Sequence, residues 1–439
     1  MRHAYQSRAR PTVSAAGPSG NSASSWRFTP RAVALAFGTY FCMYAFRKPF
    51  AAASYAGMPL FGLKLKTAFV VSQIIGYTCS KYLAVKVVSE ASRARRWPML
   101  IGIVFAAELA LLGFAVLPLP LKLVAIFLNG LPLGMVWGLV VRYLEGRRTS
   151  EPLLAGLSAS FIVASGAVKD VGRWLLGAGV GVYWMPFLAG LLFLGPFAFL
   201  SYSLDRLPDP DADDIRARVA RTPMTAARRR EFIARYLPGL LLLLLVYLGL
   251  TAFRDFRDNY GVEIFAGLGY SSQPAIFTTT EVPVAALVLV TLAALGLVKD
   301  PVNGLGALFA VMIAGVLLLG GATFLLQHAL LSGAAWMVLI GFGAYLAYVP
   351  FGSFLFDRIT VATRFTGTAV FAINLADATG YSGSVALQLY KDVFAGTMTH
   401  LGFFISITYA LAAIGGLGLA LAGWYFQRAA RATRSALSA

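Results

Sequence analysis

Two adjacent cations, Arg47 and Lys48, stand in "MYAFRKPF" after fifteen uncharged residues that begin at Ala32. The stretch that follows, Pro49 to Leu63, is uncharged as well. A guanidinium offers a planar fork of donors that matches a phosphoryl or carboxylate group through two parallel charge-assisted bonds. Tyr40 and Tyr44 lie seven and three residues before Arg47, on one face of a helix, and Tyr77 lies four before Lys81 in "GYTCSKYL". Tyrosine in an apolar segment is commonly an interfacial anchor. On the face of a buried cation it also offers a hydroxyl to whatever the cation binds.

The other ionisable groups inside apolar stretches are few. They are Glu108, then Lys169, Asp170 and Arg173, then Arg254, Asp255, Arg257 and Asp258 in "TAFRDFRD", and finally Glu281 and Asp377. The triplet Ala-Phe-Arg of residues 45–47 returns at 252–254, which sets Arg254 as the counterpart of Arg47. No Asp or Glu precedes Glu90, so Arg47, Lys48 and Lys81 have no counter-ion in their own segments. Their negative partner comes from elsewhere in the fold, or from a ligand. Arg47, Lys48, Lys81, Arg254 and Arg257 against Asp255, Asp258 and Glu281 leave an excess of two positive charges, which suits a phosphate-like dianion. Glu108, Asp170 and Asp377 are the acids that could carry a proton. For Glu108, a satisfied packing contact is an equal alternative; Lys169 and Asp170, being adjacent, point to different neighbours.

Catalytic constellations are missing. "GYSGS" at 380–384 lacks the flanking pattern of a nucleophile elbow and reads as small residues for helix packing. His3, His328 and His400 are far apart and suggest no metal cluster, and Cys42 and Cys79 sit inside apolar segments with no disulfide framework. No enzyme, cofactor or metal is expected.

These residues must be positioned by membrane-spanning helices. Of 439 residues, 58% are hydrophobic and 13% charged, and the mean hydropathy is +0.72; a soluble surface needs about a quarter charged residues. Apolar segments of about 20 residues match the ~30 Å hydrocarbon layer. Strict in–out alternation is absent, leaving helices as the spanning solution. The spans read 32–57, 67–88, 98–117, 121–144, 152–176 and 180–204, then 237–257, 274–298, 302–326, 332–356, 365–389 and 400–426. The expected fold is therefore all-α, with about twelve helices in two bundles, 31–204 and 237–427. A basic tail (1–30) precedes them, disordered or a transit peptide; a basic linker (205–236) with eight arginines joins them, and a short tail (428–439) ends the chain. The net charge of +18 lies in the connections, where positive-inside topology accounts for it without nucleic acid and puts both termini in the cytoplasm. A bacterial inner membrane is the expected location, with a lipid bilayer and a small anion as partners and a monomer as the working unit. Pro132, Pro186 and Pro350 are candidates for bends.

An ionisable group at the bilayer centre costs roughly 2.5–3.5 kcal/mol on insertion scales, so it lines a cavity or has a partner. The alternative for Arg47 and Lys48 is snorkelling, since fifteen residues of helix cover only about 22 Å. The uncharged residues on both sides favour a cavity.

At these residues the sequence resembles the organophosphate:inorganic phosphate antiporters of the major facilitator superfamily. "YFCMYAFRKPF" is similar to their first-helix pattern, and "GYTCSKYLAVKVVSEASRAR" to their second helix and loop. "TAFRDFRDNYGVEIF" resembles their seventh helix, and "FTTTEVPVAAL", loosely, their eighth. The resemblance implies a substrate held by Arg47, Arg254, Lys81, Tyr40, Tyr44 and Tyr77, with Lys48 paired to Glu281; Asp255 and Arg257, beside Arg254 in the sequence, are read as further salt-bridge residues. It departs where the family's loop aspartate–arginine pair becomes Glu90–Ala91, and where its fifth-helix histidine becomes Ser165. The implied activity is alternating-access exchange of a phosphorylated anion with phosphate. Proton-coupled transport of another organic anion and a non-transporting anion sensor are the alternatives.

Overall fold

The computed structural model describes residues 22–55, 57, 59–144, 150–209, 226–273, 275–365 and 369–438. The tail before Ser22 and the middle of the linker, 210–225, lie outside the described residues. In chain order the helices are α1 (Ser22–Tyr44), α2 (Leu65–Glu90), α3 (Arg93–Val116), α4 (Leu119–Leu133), α5 (Val136–Leu144), α6 (Ser150–Gly177) and α7 (Met185–Asp205). After the linker come α8 (Ala226–Asn259), α9 (Gly261–Gly267), α10 (Ile276–Leu295), α11 (Pro301–Gln327), α12 (Gly333–Ser353), α13 (Leu355–Ala362), α14 (Ala369–Val393) and α15 (His400–Ser438). With α4 and α5 read as one broken span, and α9 and α13 as short satellites, the chain crosses twelve times, six in each half. Six crossings put the linker on the same face as the two chain ends. We call this the terminal face and its opposite the far face.

Each half has its own apolar core. One is built around Phe46, Phe69, Phe114 and Phe197, the other around Phe253, Phe309, Phe351 and Phe404. Two buried residues cross over: Ile162 of α6 joins the second core and Tyr381 of α14 the first. The halves meet through α6 against α10 and α2 against α14. Among the described residues eight spans are apolar enough by composition to cross a bilayer. The remaining four, α1, α2, α6 and α14, carry or adjoin most of the buried charges at the meeting of the halves.

The first span is not the single helix expected over 32–57. It stops at Tyr44, turns through residues 45–48 and resumes as a short 3₁₀ helix, Pro49–Ala52. Pro49 is the local cause: it lacks an N–H and disfavours helical geometry in the residue before it. Arg47 and Lys48 therefore sit in a break, and the carbonyls it frees need donors. Gln73 Nε2 donates to Arg47 O at 2.9 Å, and Asn129 Nδ2 to Phe46 O at 2.8 Å. Lys66 Nζ donates to Ala51 O at 2.9 Å. These donors come from α2 and α4, which approach closely because Gly76 and Gly130 face each other's backbones. A Cβ on either would lie 2.2 Å from Phe127 O or 2.3 Å from Gln73 O.

Two further spans bend. Tyr236, just before Pro238, has non-helical backbone inside α8, and Pro132 and Gly134 mark the break between α4 and α5. Pro350 lies a turn before α12 ends, whereas Pro186 starts α7 and bends nothing.

Candidate substrate cavity

A cavity of about 110 Å³ opens between the two bundles, room for about four waters at their ~30 Å³ share of liquid volume. Arg47, Arg254, Lys81, Tyr40, Tyr44 and Tyr77 all line it. So does Asp377. A narrower chamber continues from it past Tyr44, Arg47 and Arg254 to Lys48, Ser165, Asp255 and Asp258.

The two arginines are not equivalent. Arg47 is 5% exposed and its Cζ lies 3.7 Å above the centre of the Tyr77 ring. It has no ion pair among the described residues, and its Nε has no hydrogen-bond partner. Arg254 lies 4.2 Å above the Tyr348 ring and donates to Asp255 Oδ1 through Nη2 at 2.8 Å. The other oxygen of Asp255 accepts from Ser384 at 2.8 Å, which fixes the carboxylate. Each arginine thus rests on a tyrosine of its own bundle, where the negative face of the ring attracts the cation. Lys81, a quarter exposed, stands 3.8 Å from Asp377, whose other oxygen accepts from Tyr247 at 2.7 Å.

The implied pairing of Lys48 with Glu281 is not what the structure contains. Lys48 Nζ lies 2.5 Å from Asp258 Oδ2 and donates to Asn259 Oδ1 at 3.0 Å. Glu281 accepts from Arg257 at 2.6 Å, and Arg257 also donates to Met337 O. The reason is rotational. Asp258 is on the α8 face turned toward the other bundle, whereas Arg257, one residue earlier, turns into its own bundle and takes Glu281 with it. Arg257 and Glu281 therefore cancel as a pair away from the cavity. Lys169 enters instead: it donates to Asp258 Oδ1 at 2.7 Å, and Ser165 bonds the same oxygen. Cavity and chamber with these neighbours hold Arg47, Lys48, Lys81, Lys169 and Arg254 against Asp255, Asp258 and Asp377. The excess is again two positive charges, with changed members.

The remaining acids sit elsewhere. Glu108 is buried inside the first bundle, against Gly190 of α7, and neither carboxylate oxygen has a partner among the described residues. Asp170 accepts from the backbone N and the hydroxyl of Thr278, both at 2.7 Å, at the start of α10.

Polar contacts join the bundles in the far half. Lys66 chelates Glu263 at 2.7 and 2.8 Å, Thr67 and Tyr260 share a hydroxyl bond of 2.6 Å, and Arg173 donates to Ser271 O at 2.6 Å. Asp392 accepts from the backbone N of Lys64 at 3.0 Å. The far side is drawn shut, and the cavity lies between mid-depth and the terminal face. Tyr247, Tyr348 and Tyr381, the tyrosines that the second bundle brings to the cavity, and the Lys66–Glu263 pair were not singled out from the sequence. A search for tyrosines one or two turns from buried charges in the second half would have found Tyr381 beside Asp377.

A family model described as a family of unknown function, DUF5690, matches residues 49–429. The chain belongs to DUF5690. No curated protein matches the sequence. Among solved structures, this DUF5690 chain is similar to a D-xylose–proton symporter (13% identity, TM-score 0.60), with 90% of this chain and 97% of that one covered. It is similar to the nucleoside transporter NupG (11%, TM-score 0.56; 92% and 99% covered). A bacterial homologue of the human lysosomal transporter Spinster, inward-facing and unoccupied, is also similar (11%, TM-score 0.56; 94% and 98% covered). At such identities the likeness is one of fold: this DUF5690 chain is an all-helical membrane protein with the major facilitator fold.

Proposed function

We propose that this chain is a secondary transporter of a small organic anion, working by alternating access, and that the anion is phosphorylated and exchanged for inorganic phosphate. One observation carries the anion: Arg47, buried in the cavity, rests on a tyrosine ring with no acid among the described residues to neutralise it. Breaking a buried pair is strongly destabilising because it strands a charge, so a guanidinium kept there without a partner is built to receive one. The likeness to transporter folds supports movement rather than capture alone, and fold by itself does not assign a substrate.

In this reading Arg47 and Arg254 hold the anion from opposite bundles, with Lys81 adding charge and the cavity tyrosines donating hydroxyls. An anion at Arg47 competes with Asp258 for Lys48. Loosening that contact weakens the far-side closure, and the bundles rock so that the far side opens while the terminal side closes. Ligand binding shifts the balance only by its difference in affinity for the two states. An empty cavity with two excess positive charges would resist closing around itself, which favours exchange over return of the empty carrier. One chain holds a whole cavity, so a monomer suffices. The arginine-rich terminal face lies in the cytoplasm on the positive-inside rule.

The test is uptake of labelled phosphate into liposomes loaded with phosphate or with phosphorylated compounds. Exchange in the unaltered protein and its loss in Arg47→Ala is expected; equal exchange in both would remove the clamp. A second reading, proton-coupled anion transport, is favoured by one position: Asp377 lines the cavity beside Lys81. It requires uptake into phosphate-free vesicles driven by a pH gradient and abolished by Asp377→Asn.

A further inference from the structure

The floor of the cavity and its walls are chemically different. Charge is concentrated at Arg47, Arg254 and the chamber beyond them. Of the sixteen lining residues, eight are Tyr, Trp or Phe, so the space a substrate's body must occupy is mostly ring. Tyr77 and Tyr348 are already covered by the arginines. Tyr40, Trp137 and Phe161 form a continuous wall beside them, with ring centres 4.9 Å apart for Tyr40 and Trp137 and 5.9 Å for Trp137 and Phe161. Toward the terminal face the lining turns aliphatic, with Val349 and Ile373.

Strong hydrogen-bond acceptors are scarce in these walls: the six tyrosine hydroxyls and that of Ser158 can accept, but a phenol oxygen does so weakly. A polyol body needs acceptors for its hydroxyl protons as well as donors. The single carboxylate among the lining residues is Asp377, and it already takes the Tyr247 hydroxyl at 2.7 Å and faces Lys81 at 3.8 Å. A flat apolar body makes no such demand, and it gains from offset or edge-on contact with ring walls.

We propose that the substrate is an amphipathic anion: a charged head between the arginines, carrying a flat apolar or aromatic body that lies against Trp137 and Phe161. The head is a phosphoryl or a carboxylate group, since both fit a guanidinium fork. This inference rests on the reading above that the cavity takes a small organic anion, and not on that anion's being phosphorylated.

Binding to the full chain in lipid nanodiscs, measured by calorimetry, tests it with two matched pairs: phenyl phosphate against glycerol 3-phosphate, and benzoate against glycerate. The ring compound binds about tenfold more tightly in at least one pair, and the pair that shows it identifies the head group. Phe161→Ala reduces that preference to about twofold or less, the ring compound losing more affinity than inorganic phosphate; Phe161→Leu, which keeps the bulk, serves if the alanine variant fails to fold. An anion that binds with no ring preference in either pair overturns this inference and leaves the anion reading standing. So does a preference that survives substitution of both Phe161 and Trp137. If neither inorganic phosphate nor any of the four compounds binds, the anion reading fails and this inference fails with it.

Discussion

At the scale of single residues, Arg47 and Arg254 differ in a way that mutation should expose. Arg47 has no counter-ion among the described residues, so Arg47→Ala removes ligand binding without stranding an acid. Anion exchange should fall on the order of 100-fold or more, with little change in thermal stability. Arg47→Lys keeps the charge but loses the fork and should recover only part of the rate. Arg254→Ala leaves Asp255 buried with Ser384 as its remaining partner, so it should lower the melting temperature as well as exchange. Adding Asp255→Asn to Arg254→Ala should then restore stability but not transport. Thermal unfolding and liposome exchange, run side by side, check both; equal melting temperatures for the two Arg254 variants would refute the argument. The buried cations and the tyrosines near them were legible in the sequence because a charge in an apolar run is conspicuous. The partners were not. Lys48 takes Asp258 rather than Glu281 because a partner depends on the depth and rotation of a helix from the other bundle.

Among elements, the break at residues 45–52 places Arg47 and Lys48 at the cavity instead of within a helix wall. Its freed carbonyls depend on Gln73 and Asn129, and those depend on the contact of α2 with α4. Gly130→Ala would drive a methyl group to 2.3 Å from the Gln73 carbonyl, forcing the helices apart. Overpacking of this kind costs about 1–3 kcal/mol. Gly130→Ala should therefore lower thermal stability and, by moving Gln73, weaken anion binding too; a variant with unaltered melting and binding would show the contact to be slack. The sequence marked Pro49 as part of an uninterrupted span, whereas proline chemistry and the carbonyl partners together require a turn. The amides Gln73 and Asn129 are the missed signal, since polar amides in otherwise apolar spans serve backbone that lacks its own helical bonds.

On the scale of the whole molecule, the far side is closed by contacts of one bundle with the other. Asp258 gathers Lys48, Lys169 and Ser165, and Glu263 gathers Lys66 and Ser54. Asp258→Asn leaves two lysines without their acid, and the closed state should lose more than the open one. Spin labels at Phe61→Cys and Ser272→Cys, with Cys42 and Cys79 replaced by serine, report the far-side separation. Asp258→Asn should lengthen that distance in the absence of any anion, and Glu263→Gln should do so to a smaller degree because Lys66 keeps its bond to Ala51 O. An unchanged distance distribution in both variants would mean that apolar packing, not these ion pairs, holds the far side.

Twelve crossings in two sets of six, and the presence of cations with no acid near them, follow from the amino-acid order alone. Span length and the cost of burying charge are properties of short windows and add along the chain. Which cation meets which acid, the side on which the bundles close, and the tyrosine-lined wall completed by the second bundle belong to the tertiary structure. They depend on how far one packed bundle is shifted and turned against the other, a quantity set by the whole interface and written in no single segment.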